Sequence, residues 1–165
     1  MKLTLAFIFT FLYLSSFSQI GNVQVLIGKY DTYVKKYLDS LNSLKPNPYF
    51  EIKKDFTKNG DMVLIAKFPL SDQPIFGCYF IMVLFQRTPN GNQICTSEKI
   101  SGEVQYADWN LNFIKDNFTR IPSETAKWEK PFGLTFKIIA EFERQDGNLP
   151  SYVITYSVKD IDNQP

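Results

Sequence analysis

Apolar residues from Val23 to Leu44 return at the spacing of a helix: Val23, Leu26, Ile27, Tyr30, Val34, Tyr37, Leu38 and Leu41 share one stripe. Lys29, Asp31, Lys35, Lys36 and Asp39 lie mostly elsewhere. The pattern predicts one amphipathic helix. It stops near Leu44, because Pro46 and Pro48 remove backbone donors and favour extended chain. The period then changes to two. Phe50, Ile52 and Phe56 alternate with Glu51, Lys53 and Asp55, Lys54 being the exception, and Asn59-Gly60 predicts a hairpin turn. Met62 to Phe68 reads as the next strand, ended by Pro69.

Ile75 to Arg87 is almost uninterrupted in its apolar character, which predicts a central strand covered on both faces, with helices as the cover. Pro89-Asn90-Gly91 turns the chain into a more polar strand, Gln93 to Ile100. Helical spacing reappears at Val104, Ala107, Leu111, Ile114 and Phe118, with Ser101 as a candidate cap. Residues 119 to 132 have two prolines and no clear period, and read as a surface connection. Two strands close the chain. Leu134, Phe136, Ile138, Ala140 and Phe142 alternate with Thr135, Lys137, Glu141 and Glu143, Ile139 being the exception, and Tyr152, Ile154, Tyr156 and Val158 alternate with Thr155, Ser157 and Lys159 after a turn at Asp146-Gly147. Pairing Phe142 with Tyr152 and Phe136 with Val158 keeps the apolar side chains on one face.

The expected fold is therefore α+β: a mostly antiparallel sheet of about six strands with two amphipathic helices, in the order α-β-β-β-β-α-β-β. This order resembles that of small secretion-chaperone folds, and its first five elements resemble the helix-plus-meander of the cystatins. The resemblance concerns the order of elements and implies no activity.

Residues 1 to 18 stand apart from this pattern. Lys2 precedes an apolar run from Leu3 to Leu14 broken only by Thr4 and Thr10, and small residues follow at Ser16 and Ser18. A dozen apolar residues is too short to span a bilayer, so the segment reads as a secretory signal peptide with the mature chain starting at Gln19. The expectation is an exported protein, periplasmic or extracellular, with no stable membrane insertion after cleavage. About 147 residues then remain, the length of one domain over 19–165.

Charge narrows the partners. Without Lys2, the eighteen basic side chains become seventeen, which equals the seventeen acidic ones. A neutral chain with no basic cluster lacks the cation surplus that phosphate binding requires, so nucleic acid is not an expected partner. The many Phe and Tyr residues fall mainly within strand-like segments and predict a sheet-dominated core.

The chain contains no histidine. This excludes a Ser-His-Asp triad, a Cys-His pair and histidine zinc sites within the polypeptide. There is also no glycine-rich phosphate loop and no twelve-residue acidic calcium loop, so neither cofactor nor metal is expected. Cys78 and Cys95 form a possible disulfide closing a loop of about eighteen residues, worth ~3 kcal/mol. Hairpin register opposes it, since a two-residue turn at Asn90-Gly91 places Cys95 opposite Gln86; a buried free thiol at Cys78 is the other reading. Glu141 and Glu143 share a strand face, a spacing open to glycosidic or metal chemistry, but Lys137 and Lys159 on the same polar face point to a solvated, ion-paired surface. Tyr106 and Trp109 lie off the second helix's apolar stripe, and with Trp128 they form a possible interaction surface. Asn117-Phe118-Thr119 matches a glycosylation sequon.

These features point to a non-catalytic binding or interaction module whose partner is a protein or a small apolar ligand. The alternatives are a carboxylate- or cofactor-dependent enzyme and a structural subunit of an envelope assembly.

Overall fold

The computed structural model describes residues 25–43, 51–67, 78–147 and 150–161. Residues 1–18, read above as a signal peptide, together with Phe50, the prolines at 46, 48, 69 and 74, and the start of the long apolar run, lie outside the described residues. Helix α1 spans Asp31–Ser43. Four strands follow, β1 (Glu51–Phe56), β2 (Met62–Lys67), β3 (Cys78–Arg87) and β4 (Gln93–Glu103). A 3-10 turn at Val104–Tyr106 leads into helix α2 (Ala107–Asn117). The chain ends in β5 (Thr119–Arg120), β6 (Lys127–Phe132), β7 (Phe136–Gln145) and β8 (Ser151–Asp160).

All eight strands form one antiparallel sheet in the order β1-β2-β3-β4-β8-β7-β6-β5. The α+β antiparallel expectation holds, with two corrections. The strands number eight rather than about six, and the extra pair comes from 119–132, read above as a connection. That segment hid its period because β5 has only two residues and Pro131 interrupts β6. Past Glu129, β6 has a neighbour on one side only, and an edge position tolerates proline.

The second correction concerns cover. Both helices bury their apolar stripes in one core with the same sheet face: Val34, Leu38 and Leu41 from α1, Ala107 and Ile114 from α2. The outward side chains of β3, Phe80, Met82 and Leu84, are only half-buried. The covered face is a set of rows running across strands. One row is Leu64, Val83, Glu98, Tyr156, Ala140 and Trp128; the next is Ala66, Ile81, Ile100, Ile154 and Phe142. Register between β7 and β8 places Phe142 opposite Ile154 and Phe136 opposite Asp160, two residues from the expected pairing. A slip of two preserves the faces, so Ile138, Ala140, Phe142, Tyr152, Ile154 and Tyr156 all lie on the covered face as expected, while Ile139 and Val153 of the other face are buried as well. Phe142 and Tyr152 become diagonal neighbours and stack with ring centroids 6.2 Å apart.

The first helix is shorter than its periodicity suggests. Residues 25–30 form a strap rather than helix, because Gly28 takes a left-handed φ of 78° and helix-interior glycine is unfavourable. The strap's backbone groups bond to the sheet instead. Gly28 N–H donates to Cys95 O and Cys95 N–H donates to Lys29 O, both at 2.9 Å. Tyr30 bridges Ile94. Ser101 lies within β4 rather than at a helix start, and Tyr106 precedes α2 with no side-chain cap.

The β3–β4 loop also corrects the cysteine register. Thr88 N–H donates to Asn92 O and Gly91 has φ 81°, a three-residue loop with glycine at the left-handed position. Cys95 consequently faces Phe85, whereas Cys78 faces Gly102. Seven residues of strand separate those positions, roughly 23 Å at the usual rise, against a disulfide limit of about 7 Å between Cα atoms. Cys95 is a free, buried thiol, and the possible Cys78–Cys95 disulfide is not formed.

Gly28 is required for two reasons. Its φ disfavours any other residue, and a Cβ placed there would meet Phe132 Cζ at 2.4 Å. Gly28→Ala is expected to cost about 2 kcal/mol or more, read as a lowered denaturation midpoint. An unchanged midpoint would show that the strap is not packed against β6 in this way.

Candidate functional site

Val25 and Ile27 of the strap, Phe113, Asn117 and Phe118 at the end of α2, and Lys130, Pro131, Phe132 and Ile138 of the β6–β7 hairpin enclose a groove of about 470 Å³. That volume lies in the range of small-molecule sites. Alternation places each wall. The even residues of β6 face the helices, so Trp128, Lys130 and Phe132 point inward beside Ile138 and Ala140 of β7. The helix ends at Asn117 as the chain becomes extended at Phe118 (φ −133°, ψ 150°), while Phe118 N–H still donates to Ile114 O. This geometry holds the Phe118 ring against the sheet, 5.8 Å from the ring of Tyr156.

The strap is fixed by Glu98, a residue not singled out by the sequence pattern. Its side chain is wholly buried in the middle of the covered face, between Val83 and Tyr156 on the neighbouring strands. Leu26 N–H donates to Glu98 Oε2 at 2.8 Å, and Oε1 has no partner. Burial pushes the carboxyl up from its ordinary 4.5 to about 8, opposed by the Leu26 hydrogen bond. Glu98 is thus mainly neutral at pH 7. Burial first, then the Glu98 charge, also raises the Cys95 thiol and the Tyr156 phenol far above their usual ranges, so neither ionises in the folded chain. A signal existed in the sequence. Counting back by two from Ile100 puts Glu98 on the inner face, although the bulge between Leu84 and Phe85 breaks that count before Cys95 is reached.

The other highlighted residues do not converge. Trp109 is 41% exposed and Tyr106 is 38% exposed at the start of α2, whereas Trp128 is 7% exposed within the core. Trp128 is therefore no part of an exposed surface with the other two. Tyr106 contributes its carbonyl instead, accepting from Asn110 Nδ2, which also donates to the Tyr152 hydroxyl; both distances are 3.0 Å.

Glu141 and Glu143 lie on the outer face. Lys127 Nζ stands 3.4 Å from Glu141 and 2.9 Å from Glu124, and Lys137 Nζ stands 2.9 Å from Glu129. The hydrogen bond and charge of Lys127 hold the Glu124 carboxyl below its usual range, and Glu124 and Glu141 raise Lys127 in return. This is an ion-paired surface. Among the described residues no group of three or more acidic, cysteine or histidine side chains is placed to hold a metal. No helix among them is long and apolar enough to cross a membrane.

A second recess, of about 490 Å³, opens on the other side of Phe118 and is lined by Lys115, Arg120, Ala126 and Trp128. Ala126 holds a left-handed φ of 56° there, a conformation costing an L residue about 1–2 kcal/mol. Its carbonyl accepts from Phe142 N–H at 3.0 Å, which ties the β5–β6 connection to β7.

Comparison with known protein families, characterised proteins and solved structures finds no match to this chain.

The buried carboxyl makes stability depend on pH with a definite sign. Between pH 4.5 and 8 the folded chain keeps a proton on Glu98 that the unfolded chain has released. The stabilisation is complete below 4.5 and declines as pH rises toward 8, by at most about 1.4 kcal/mol per pH unit. Urea unfolding at pH 5, 6.5 and 8 should show this fall, and Glu98→Gln should flatten it. A wild-type stability that is level or rises over that interval would contradict a buried neutral carboxyl.

Proposed function

We propose that this chain is an exported, non-catalytic binding domain and that the groove between the strap, α2 and the β6–β7 hairpin takes a small apolar ligand. The observation that carries this reading is the groove itself: about 470 Å³ walled chiefly by Val25, Ile27, Phe113, Phe118, Phe132 and Ile138. Apolar walls with a few polar groups at the rim are the usual composition of a ligand site. Export is inferred from the Lys2-to-Ser18 pattern. The non-catalytic reading draws support from the acids: Glu98 is sealed in the core, Glu141 is ion-paired on the far face, and the sequence has no histidine.

The test uses protein recovered from the cells that export it, stripped of bound lipid, and titrated with the neutral apolar dye Nile red. One dye per chain should bind saturably. Phe113→Asp, which places a charge in the groove wall at a half-buried helix position, should abolish binding while leaving the circular dichroism spectrum unchanged. Absence of saturable binding, or binding indifferent to Phe113→Asp in a folded variant, would contradict the proposal.

A further inference from the structure

We propose that the ligand of this groove is a free anionic amphiphile, an alkyl chain with one carboxylate-like head group, whose tail lies in the groove and whose head is held by Lys130, Lys115 and Arg120. The assignment rests on the groove being a ligand site, as proposed above. Its own support is the distribution of charge around Phe118.

Phe118 is the partition shared by the two recesses. On one side the walls are apolar. On the other, Lys115 of α2 and Arg120 of β5 line a space floored by Trp128, the residue opposite Arg120 in the β5–β6 ladder. Lys130 joins the two, since its Nζ lies 5.7 Å from the centroid of the Phe118 ring. Lys130 itself is exposed. Its strand neighbours on the same face are Trp128 and Phe132, both packed into or against the core.

The outer face of β6 and β7 uses its lysines differently. There Lys127 and Lys137 each have a carboxylate within 3.4 Å. Around Phe118, none of Lys115, Arg120 and Lys130 has an ion-pair partner among the described residues, and Asp116, beside Lys115 in α2, forms no ion pair with them. Lys130 lines the apolar groove, Lys115 and Arg120 line the recess that shares Phe118 with it, and none of the three has an ion-pair partner among the described residues, in a chain whose total charge is nearly balanced. A neutral apolar ligand uses none of them. An anionic head group beside an apolar tail uses both halves, with the Arg120 guanidinium suited to the planar, two-pronged geometry of a carboxylate.

Decanoate, decan-1-ol and decyltrimethylammonium, each below its aggregation limit, separate the possibilities when titrated into the lipid-stripped protein. Fluorescence of Trp128, which lines the second recess, is the readout. Decanoate should bind one per chain and at least about tenfold more tightly than decan-1-ol, the gain available to a few partly exposed ion pairs. Lengthening the acid by one methylene should tighten binding about fourfold. The triple variant Lys115→Gln, Arg120→Gln and Lys130→Gln replaces exposed side chains and should erase the preference for decanoate over decan-1-ol, both measured on the variant. Equal affinity of acid and alcohol, unaffected by the triple variant, would overturn the anionic assignment while leaving the groove reading intact. Failure of all three probes to bind would overturn the groove reading, and this one with it. Preference for the ammonium probe, acid binding without chain-length dependence, or co-sedimentation with phosphatidylglycerol vesicles in place of decanoate binding would each overturn the assignment to a free amphiphile.

Discussion

A carboxyl group wholly buried between Val83 and Tyr156 makes a single hydrogen bond, to the backbone N–H of Leu26. Much of the molecule's arrangement depends on that contact. A sheet face of Leu, Val, Ile and aromatic side chains offers nothing for an isolated backbone donor, and an unsatisfied buried N–H costs about 1–3 kcal/mol. Glu98 supplies the acceptor. With Leu26 held, Gly28 and Lys29 reach the backbone of Cys95, and the strap lies along the sheet in place of a longer helix. Val25 and Ile27 then become one wall of the groove. The cost is carried by the carboxyl, which is kept neutral by its burial.

The two sides of the sheet use charge differently. Outside, opposite charges on adjacent strands are paired, an arrangement that keeps a solvated face soluble and contributes little stability. Inside, Lys130 lines the apolar groove and Lys115 and Arg120 the recess beside it, without an ion-pair partner among the described residues. The β5–β6–β7 region provides both arrangements from one alternating sequence, Lys127 and Glu129 outward, Trp128, Lys130 and Phe132 inward. The proposal of an amphipathic ligand rests on that division.

Much of the fold was legible in the sequence. The strands with clean alternation, β7 and β8, appeared with the expected faces because an error of two residues in register leaves side-chain direction unchanged. The helix from Ala107 was legible for the same reason, a period long enough to outweigh uncertainty at its ends. What was hidden was non-local. The stripe from Val23 to Tyr30 has helical spacing, yet Gly28 and the hydrogen bonds offered by Cys95 and Glu98 draw that segment onto the sheet. The strands in 119–132 are too short and too proline-rich to carry a period of their own, and form because β7 offers an edge. The groove was illegible for a related reason, since its walls come from three separated stretches of chain. Trp128 was visible as an aromatic of interest, but its position in the recess beside Arg120 follows only from the β5–β6 ladder.

The central claim is that Glu98 and the backbone of Cys95 hold the strap against the sheet and so build the groove wall. Amide hydrogen exchange followed by nuclear magnetic resonance on the native protein tests it most directly. The account predicts that the amides of Leu26, Gly28 and Cys95, which donate to Glu98 Oε2, Cys95 O and Lys29 O, exchange slowly, with protection near that of Ile100 in the middle of β4, although the strap belongs to no regular strand. Exchange of Leu26, Gly28 and Cys95 at the rate of freely exposed amides, while Ile100 stays protected between β3 and β8, would contradict it.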